Sequence, residues 1–575
     1  MKIENLITDH LDLWTAAVRP KSSAGRGSNS KLELTGIKKL RELILELAVR
    51  GKLVPQDPSD EPASVLLERI AAEKAQLVRD GKIKSEKKYP VISDAEQPHS
   101  KPDGWVFERF GNVLINRDFE RIPLAVSERE RRKGGYDYYG ASGVIDRIDG
   151  YLFDKPLLLI GEDGANLINR SSPIAFIARG QYWVNNHAHV LDGLNEDLLK
   201  YVCLHINAIS LLPYITGTAQ PKMNQAKMNT IVLGIPPLAE QKRIVAKVDE
   251  LMALCDQLEQ RSEAQLAAHQ TLVETLLATL TDSCDADELA QNWARLSTHF
   301  DTLFTTEASI EALKQTILQL AVMGKLVPQD PSDEPALALL ERIAAEKARL
   351  VKEKKIKKEK PLPVICENEK PFELPQGWAW CRFEDIVDIQ SGITKGRKLT
   401  NRVLTTVPYL SVANVQRGYV DVTGIKSVEL PVDEIEKYQV LNSDLLITEG
   451  GDWDKVGRTA IWADEMPYVA HQNHVFKARK FLQEQDESWL EMFLNGPSAR
   501  DYFAGSSKQT TNLASINKTQ LRGCLIAIPP KNEKNCIVAK VDELMNLCDQ
   551  LKARLQTSQQ TQLTLAESLV EGALA

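Results

Sequence analysis

Arg129, Arg131, Arg132 and Lys133 lead directly into Tyr136, Tyr138 and Tyr139, and Arg117 precedes them in the same insert. Much later, Lys395, Arg397, Lys398 and Arg402 fill a span with no acidic residue between Gln390 and Arg402. Guanidinium and ammonium groups bind phosphate oxygens, and arginine also forms paired hydrogen bonds with the edge of guanine. A solvated loop would carry the same composition, so neither run settles its own role. Each is followed by a cluster of amides and imidazoles: Asn185, Asn186 and His187 after the first, His471, Gln472 and Asn473 after the second. Asparagine and glutamine can match the donor and acceptor that adenine shows in the major groove. Two polar turns complete the set. GTAQPKMN (217–224) supplies Gln220, Lys222 and Asn224, and SKQTTNLASIN (507–517) supplies Lys508, Gln509 and Asn512. No base can be assigned to any of these side chains from the sequence.

Other chemistry is missing. The chain has no GxxxxGK[ST] phosphate loop, GxSxG elbow or HExxH helix. It also lacks the Asn/Asp/Ser-Pro-Pro-aromatic tetrapeptide of amino-methyltransferases, because both Pro-Pro pairs follow isoleucine. His187/His189 and His471/His474 lack the carboxylate or cysteine pattern of a metal site, so no metal is expected. Glu449, Asp452 and Asp454 beside a Gly-Gly turn read as structural or solvated carboxylates. The eight cysteines form no CxxC pair, which fits a reduced cytoplasmic protein. No apolar run reaches the roughly 20 residues of a membrane span, and no secretory leader is visible at the N-terminus. The net charge is −8 and the isoelectric point about 5.8. A chain this acidic does not grip a polyanion by bulk charge, so binding must rest on local patches or on a more basic partner.

The elements that would position these clusters are duplicated. GKLVPQDPSDEPA (51–63) recurs at 324–336, LLERIAAEKA (66–75) at 339–348 and Gly104-Trp105 at Gly377-Trp378, all at an offset of 273 residues. VAKVDELM (245–252) recurs at 538–545 and CDQL (255–258) at 548–551, at an offset of 293. Near-identical spacers therefore flank two divergent inserts, the second about 20 residues longer. This gives a helical region (1–103), an α/β insert (104–235), a long helix (236–281), a second helical region (282–376), a second α/β insert (377–528) and a final long helix (529–575). Each helical region reads as a hairpin turning at PQDPSDEP, followed by a lysine-rich stretch (81–88 and 352–360) that suits a solvated linker or a phosphate or partner contact. Trp14 and Trp293 offer a distant echo of one another.

Ile-Pro-Pro precedes each long helix, and the apolar positions then alternate in steps of four and three. The first ladder is Ile244, Val248, Leu251, Cys255 and Leu258, continuing through Ser262, Gln265, His269, Leu272 and Leu276. The second is Ile537, Val541, Leu544, Cys548 and Leu551, continuing through Leu555, Ser558, Gln562, Leu565 and Leu569. Sustained 4-3 spacing is the seam of a coiled coil, and two such helices in one chain can pair antiparallel about a pseudo-two-fold axis.

The alternation of repeat and insert, AEQKRIVAKVDELM (239–252) and the two PQDP hairpins resemble the specificity subunits of type I restriction-modification systems, in the subgroup with a long conserved N-terminal region. The second copy departs from the pattern, with NEKNCIVAKVDELM at 532–545. The resemblance implies a non-catalytic DNA-recognition subunit whose inserts are target recognition domains, each reading half of a split asymmetric site. It implies that the helices set the unread gap and that the repeats dock two methyltransferase subunits, with restriction subunits joining through them. S-adenosylmethionine, ATP and magnesium would then bind the partners. Two competing readings are a coiled-coil protein scaffold, which would show no DNA sequence preference, and a self-contained methyltransferase, which would methylate DNA unaided.

Overall fold

A computed structural model describes residues 3–20, 32–84, 89–217, 220–394, 396–397, 399, 402–451, 455–510 and 513–574. The chain divides into two units, Met1–Ala264 with Ser558–Ala575, and Gln265–Thr557. Each holds one helical hairpin, one insert and portions of both long helices, Leu238–Asp282 and Lys531–Leu574. Among the described residues no helix is long and apolar enough to cross a membrane.

In the first unit, helix Thr35–Val49 buries Leu40, Leu43, Ile44 and Leu47, the face its 3.6-residue spacing predicts. Gly51, at φ +68°, ends it in the left-handed conformation, and a Cβ there would lie 2.7 Å from Pro102 and 3.0 Å from Trp105. Helix Ala63–Arg79 follows the PQDP turn. In the second unit Glu307–Val322, Gly324 (φ +69°) and Ala336–Lys352 repeat the arrangement. Trp14 and Trp293 do not correspond: Trp14 is fully buried and donates to the Leu6 carbonyl, whereas Trp293 is exposed on a helix of its own, Ala286–Thr298.

Each insert is closed by its own ends. Val106–Arg109 pairs antiparallel with Val232–Ile235, and Ala379–Arg382 with Leu525–Ile528. Between these ends the two inserts share one plan. A four-stranded antiparallel sheet runs Ile115–Asn116, Ala188–Asp192, Leu157–Gly161, Ala175–Ala178 in the first and Val387–Ser391, Val475–Lys480, Leu445–Thr448, Thr459–Ile461 in the second. A three-stranded mixed sheet stands beside it: Gly143–Ile148, Lys133–Gly140, Tyr182–Val184, or Lys426–Pro431, Leu404–Leu410, Ala470–His471. The helix expected over 196–212 spans Glu196–Ala208. The one expected over 487–504 is broken into Glu487–Asn495 and Pro497–Ser506, because Pro497 lacks the N–H that would continue it.

The repeats hold the inserts by matching contacts. Trp105 Nε1 donates to both Glu240 oxygens at 3.1 Å, and Trp378 Nε1 to Glu533 at 3.0 Å. Lys74 reaches the Gly111 and Leu114 carbonyls, and Lys347 the Glu384 carbonyl. Arg109 binds Glu96 and the Thr230 carbonyl as Arg382 binds Glu369 and the Gly523 carbonyl. Arg41–Asp256 (2.6 Å) is matched by Lys314–Asp549 (2.5 Å). The divergent NEKNC segment shows its effect at one point. Arg243 pairs with Asp60 at 2.7 Å, but Cys536 stands at the equivalent position, and Asp333 accepts instead from Asn532 and the Glu533 amide. Trp105→Ala and Trp378→Ala should each cost about 3–5 kcal/mol, the range for truncating a buried aromatic, and should strand a buried carboxylate. Urea denaturation followed by circular dichroism checks this, and a loss below about 1 kcal/mol would contradict it.

Each ladder is inward-facing over its first rungs, and burial then shifts. Ile244, Val248, Leu251, Cys255 and Leu258 are buried, as are Ile537, Val541 and Cys548, with Leu544 and Leu551 half-buried. Beyond them the strict 4-3 ladder fails. Gln265 and Ser558 are exposed, and Leu272 and Leu565 are 51% and 52% exposed. Burial passes to Val273, Leu277 and Leu280, and to Leu563 and Ala566. In the first helix the inward positions run 258, 262, 266, 269, 273, so two steps of four occur in succession. An α-helix drifts about 20° per heptad from a 3.5-residue repeat, and an extra step of four resets the face.

Candidate nucleic-acid interface

Three loops meet at one end of each four-stranded sheet. The first insert brings together the amide turn 185–187, the acidic turn Glu162-Asp163 and the polar turn that ends in Asn224. Glu162 N donates to His187 O at 2.8 Å, and Met223 N to Glu162 O at 2.8 Å. The second insert does the same with Glu449 N to His474 O at 2.9 Å and Ile516 N to Glu449 O at 2.9 Å. Each cluster presents an exposed imidazole held by a carboxylate, His187 Nδ1 with Asp163 at 2.8 Å and His474 Nδ1 with Glu449 at 2.6 Å. Two inserts with little sequence in common thus build the same end from the same backbone straps.

The turn in the first insert is tightly made. Thr216 and Lys222 exchange both backbone hydrogen bonds at 2.8 Å, and Gly164 N donates to the Pro221 carbonyl at 3.0 Å. Gly217 stands at φ +86°, where a Cβ would lie 2.5 Å from the Gln220 carbonyl oxygen. Gln220 is exposed, Lys222 pairs with Glu162 at 3.1 Å, and Asn224 accepts from Lys227 N as the N-cap of a short helix. In the second insert Lys508–Thr510 pairs with Leu513–Ser515, and Gly450–Gly451 joins that sheet. Lys395, Lys398 and Asn512 lie outside the described residues, as do the side chains of Lys508 and Gln509.

The basic runs are largely paired within their own inserts. Arg117 binds Glu120 (2.6 Å) and Asp192 (3.1 Å). Arg129 binds Asp146 at 3.2 Å and lies 5.0 Å from the centre of the Tyr138 ring. Arg132 binds Asp149 at 2.9 Å and covers Trp183 at 4.9 Å, and Lys133 reaches Asp146 at 2.5 Å. Arg131 is exposed, and Tyr136 is half-buried against Tyr151. In the second insert Arg397 and Arg402 both bind Glu434, at 2.8 and 2.7 Å, and Arg402 also binds Asp433. The run free of acids in sequence therefore meets its acids in space. Surface ion pairs are worth about 0–1 kcal/mol, so a phosphate can replace the carboxylate at small cost.

Three of the expected contact residues are buried, and their side chains position the site instead of facing solvent. Tyr138 is fully buried, and its hydroxyl accepts from Leu124 N at 3.0 Å, because its strand turns that face to the core. Asn185 accepts from His187 N at 2.8 Å and shapes the turn. His471 is fully buried, with Nδ1 donating to the Val475 carbonyl at 2.8 Å, and burial pushes its pKa down to about 3. Asn186 and His187 are exposed, and Gln472 and Asn473 half-buried. The histidine pairs considered for metal separate: His187 binds Asp163 while His189 binds Asp118. Among the described residues no three His, Cys, Asp or Glu side chains gather as a metal cluster. Asp118, Arg121, Glu162 and Asp163 were not anticipated. Asp118 lies 71 residues before its partner His189, and no local pattern marks such a pairing.

The family described as the type I restriction modification DNA specificity domain matches twice, at residues 102–268 and 375–558. This chain belongs to that family. The EcoEI and EcoAI type I restriction enzyme specificity subunits of Escherichia coli are 41% and 42% identical to it, each over the full length of both chains. Among solved structures, the HsdS subunit from Thermoanaerobacter tengcongensis is 15% identical, covers 83% of this chain and 98% of its own, and aligns with a TM-score of 0.37.

As a type I specificity subunit, the chain recognises DNA and is not the catalytic member of its system. Each family match takes in one insert together with the start of the long helix that follows it, so the match repeats with the duplication. The paired loop ends are the part of this specificity subunit where the two inserts agree in backbone and differ in side chains.

Proposed function

We propose that each insert of this specificity subunit is a target recognition domain reading one half of a bipartite asymmetric DNA site. The observation that supports this best is the three-loop end built twice on the same strands, with different side chains at equivalent places. Gln220 and Lys222 stand in one copy and the Lys508–Thr510 ribbon in the other, and Asn185 in one copy is matched by Gln472 in the other, while Asn186 and Asn473 agree. Similar scaffolds with different polar tips suit two readers of unlike half-sites. The long helices set the unread gap. The helical repeats dock two methyltransferase subunits, through which restriction subunits join. S-adenosylmethionine, ATP and magnesium bind those partners. The acidic balance of this chain is then no obstacle, because the partners close around the duplex and supply the missing positive charge. The setting is the cytoplasm of the host cell, where the DNA lies.

The test is a band shift with the full chain, alone and with its methyltransferase subunits, on duplexes carrying the sequence found by mapping methylated adenines in the source genome. Scrambling either half should weaken binding by at least about a thousandfold, since each wrong base pair costs about 1–3 kcal/mol. Equal binding to scrambled duplexes would leave only a scaffold, and methylation by the chain alone would make it the enzyme.

A further inference from the structure

His189 lies under the polar turn of the first insert, 1% exposed. Its Nδ1 is 2.6 Å from Asp118 Oδ2 and its Nε2 is 2.9 Å from the Met223 carbonyl oxygen. A carboxylate and a peptide carbonyl only accept hydrogen bonds. A neutral imidazole carries one N–H and can satisfy one of them, whereas the imidazolium carries two and satisfies both. The geometry points to His189 as a doubly protonated staple that holds the DNA-facing turn of the first insert against its sheet. Deprotonation would break one of the two bonds and release the turn, so reading by this insert alone would be lost as pH rises.

The surroundings agree. Glu162 Oε2 lies 3.8 Å from His189 Nδ1. Arg121 bridges the two acids, 3.4 Å from Asp118 and 2.9 Å from Glu162, and Lys222 binds Glu162 at 3.1 Å. Asp118 also accepts from Val190 N at 2.7 Å, which fixes it as an anion. Burial opposes the charge on His189, but the Asp118 hydrogen bond and charge outweigh it and hold the pKa above its ordinary value. A group raised in this way stabilises the fold below its ordinary pKa and loses that contribution as pH climbs through the raised value. Among the described residues of the second insert no such staple is present. Phe476 follows His474 by two residues as His189 follows His187, and its side chain lies in the core.

Met223 is held at two atoms: its N–H by the Glu162 carbonyl and its carbonyl by His189. The first is a backbone strap that the second insert shares through Ile516. The second is titratable and belongs to one insert. His189 is therefore a positioning residue for Gln220, Lys222 and Asn224.

The inference rests on the target-recognition reading, and its test has two arms. In the first, hydrogen exchange is followed on the free full chain between about pH 6 and 9 and corrected for intrinsic rates. The peptide spanning Met223 should lose about tenfold in protection with rising pH, while the peptide spanning Ile516 should not. His189→Gln, which cannot change charge, should show the weaker protection at every pH. Should that variant fail to fold, the profile of the unmodified protein decides. In the second arm, footprints of the two half-sites are compared in the complex with the methyltransferase subunits. Protection of the first half should fall about tenfold relative to the second. An exposed imidazole–carboxylate pair, His187–Asp163 or His474–Glu449, occurs in each insert. Lys477, whose pKa burial pushes down to about 8, belongs to the second insert and strengthens that insert as pH rises past this value, so the exchange profile at Met223 decides where the footprint ratio alone would not. A flat exchange profile at Met223, or an equal loss at both halves, overturns the staple. Absence of any footprint at every pH, with the exchange profile as expected, would instead overturn the DNA-reading assignment.

Discussion

Replacing residues 104–235 with the equivalent insert of a specificity subunit that reads another sequence should change one half of the recognised site and leave the other half as it was. The insert is suited to exchange because its two ends meet as a strand pair, Val106–Arg109 with Val232–Ile235. Within it Phe153, Leu157, Tyr182, Val184 and Val190 pack on one another. Helix Glu196–Ala208 of the insert packs on helix Thr35–Val49 of the helical region, so the donor insert must keep a matching face there. Lys74 takes backbone carbonyls of Gly111 and Leu114, which any sequence provides. The Trp105–Glu240 bond and the Arg109–Glu96 pair need the donor insert to keep a tryptophan and an arginine at those places. With these preserved, the chimera should bind its hybrid site as the parent binds its own. It should discriminate against the parental first half by at least about a thousandfold, for three or more mismatched pairs at about 1–3 kcal/mol each. Methylome mapping in cells carrying the chimera and the methyltransferase subunits reads both halves together. A change in both halves would mean that the inserts do not read independently.

Much of the fold was legible from repetition and periodicity. The duplicated hairpins, the helix starts after Ile-Pro-Pro and the buried rungs Ile244 to Leu258 all follow from local spacing, since an apolar stripe at 3.6-residue intervals has few ways to be buried. The later rungs were not legible. Leu272 and Val273 are adjacent and both apolar, so composition cannot say which faces inward, and the slip from a strict heptad is a property of the packed helix. The candidate site divided in the same way. The clusters around Arg129, Asn186 and Lys222 announced themselves by residue type. Their pairing with Asp146, Asp163 and Glu162 did not, because those acids arrive from other strands. Tyr138 and His471 were misjudged for a related reason: one residue along a strand reverses the face, and the sequence of a bulged or two-residue strand does not fix that parity. Asn185 sits in a turn, where its side chain accepts from the His187 amide. His189 illustrates the limit. Its role depends on a carboxylate 71 residues earlier and a carbonyl 34 residues later.

Inserting seven residues into each long helix should lengthen the preferred gap between the half-sites. Seven residues add about 10 Å at ~1.5 Å per residue, which is about three base pairs at ~3.4 Å each. The insertion belongs after Leu258 and after Leu551, where the rungs loosen to half-buried Ser262 and Leu266, and to Leu555 and Gln559. Seven residues fall only about 20° short of two full turns, so Val273, Leu277 and Leu280, and Leu563 and Ala566, stay close to their inward face. Five residues would rotate those rungs by about 140° and should unfold the segment, which makes that length the control. Three added base pairs also turn the second half-site by about 100° around the duplex. Affinity at the new optimum should therefore fall below that of the parent even though the distance fits. Band shifts on duplexes with the gap varied one base pair at a time give the optimum, and circular dichroism shows that the lengthened chain is folded. A folded chain that keeps the parental gap would reject the helices as the ruler and would place the measure of distance in the methyltransferase subunits.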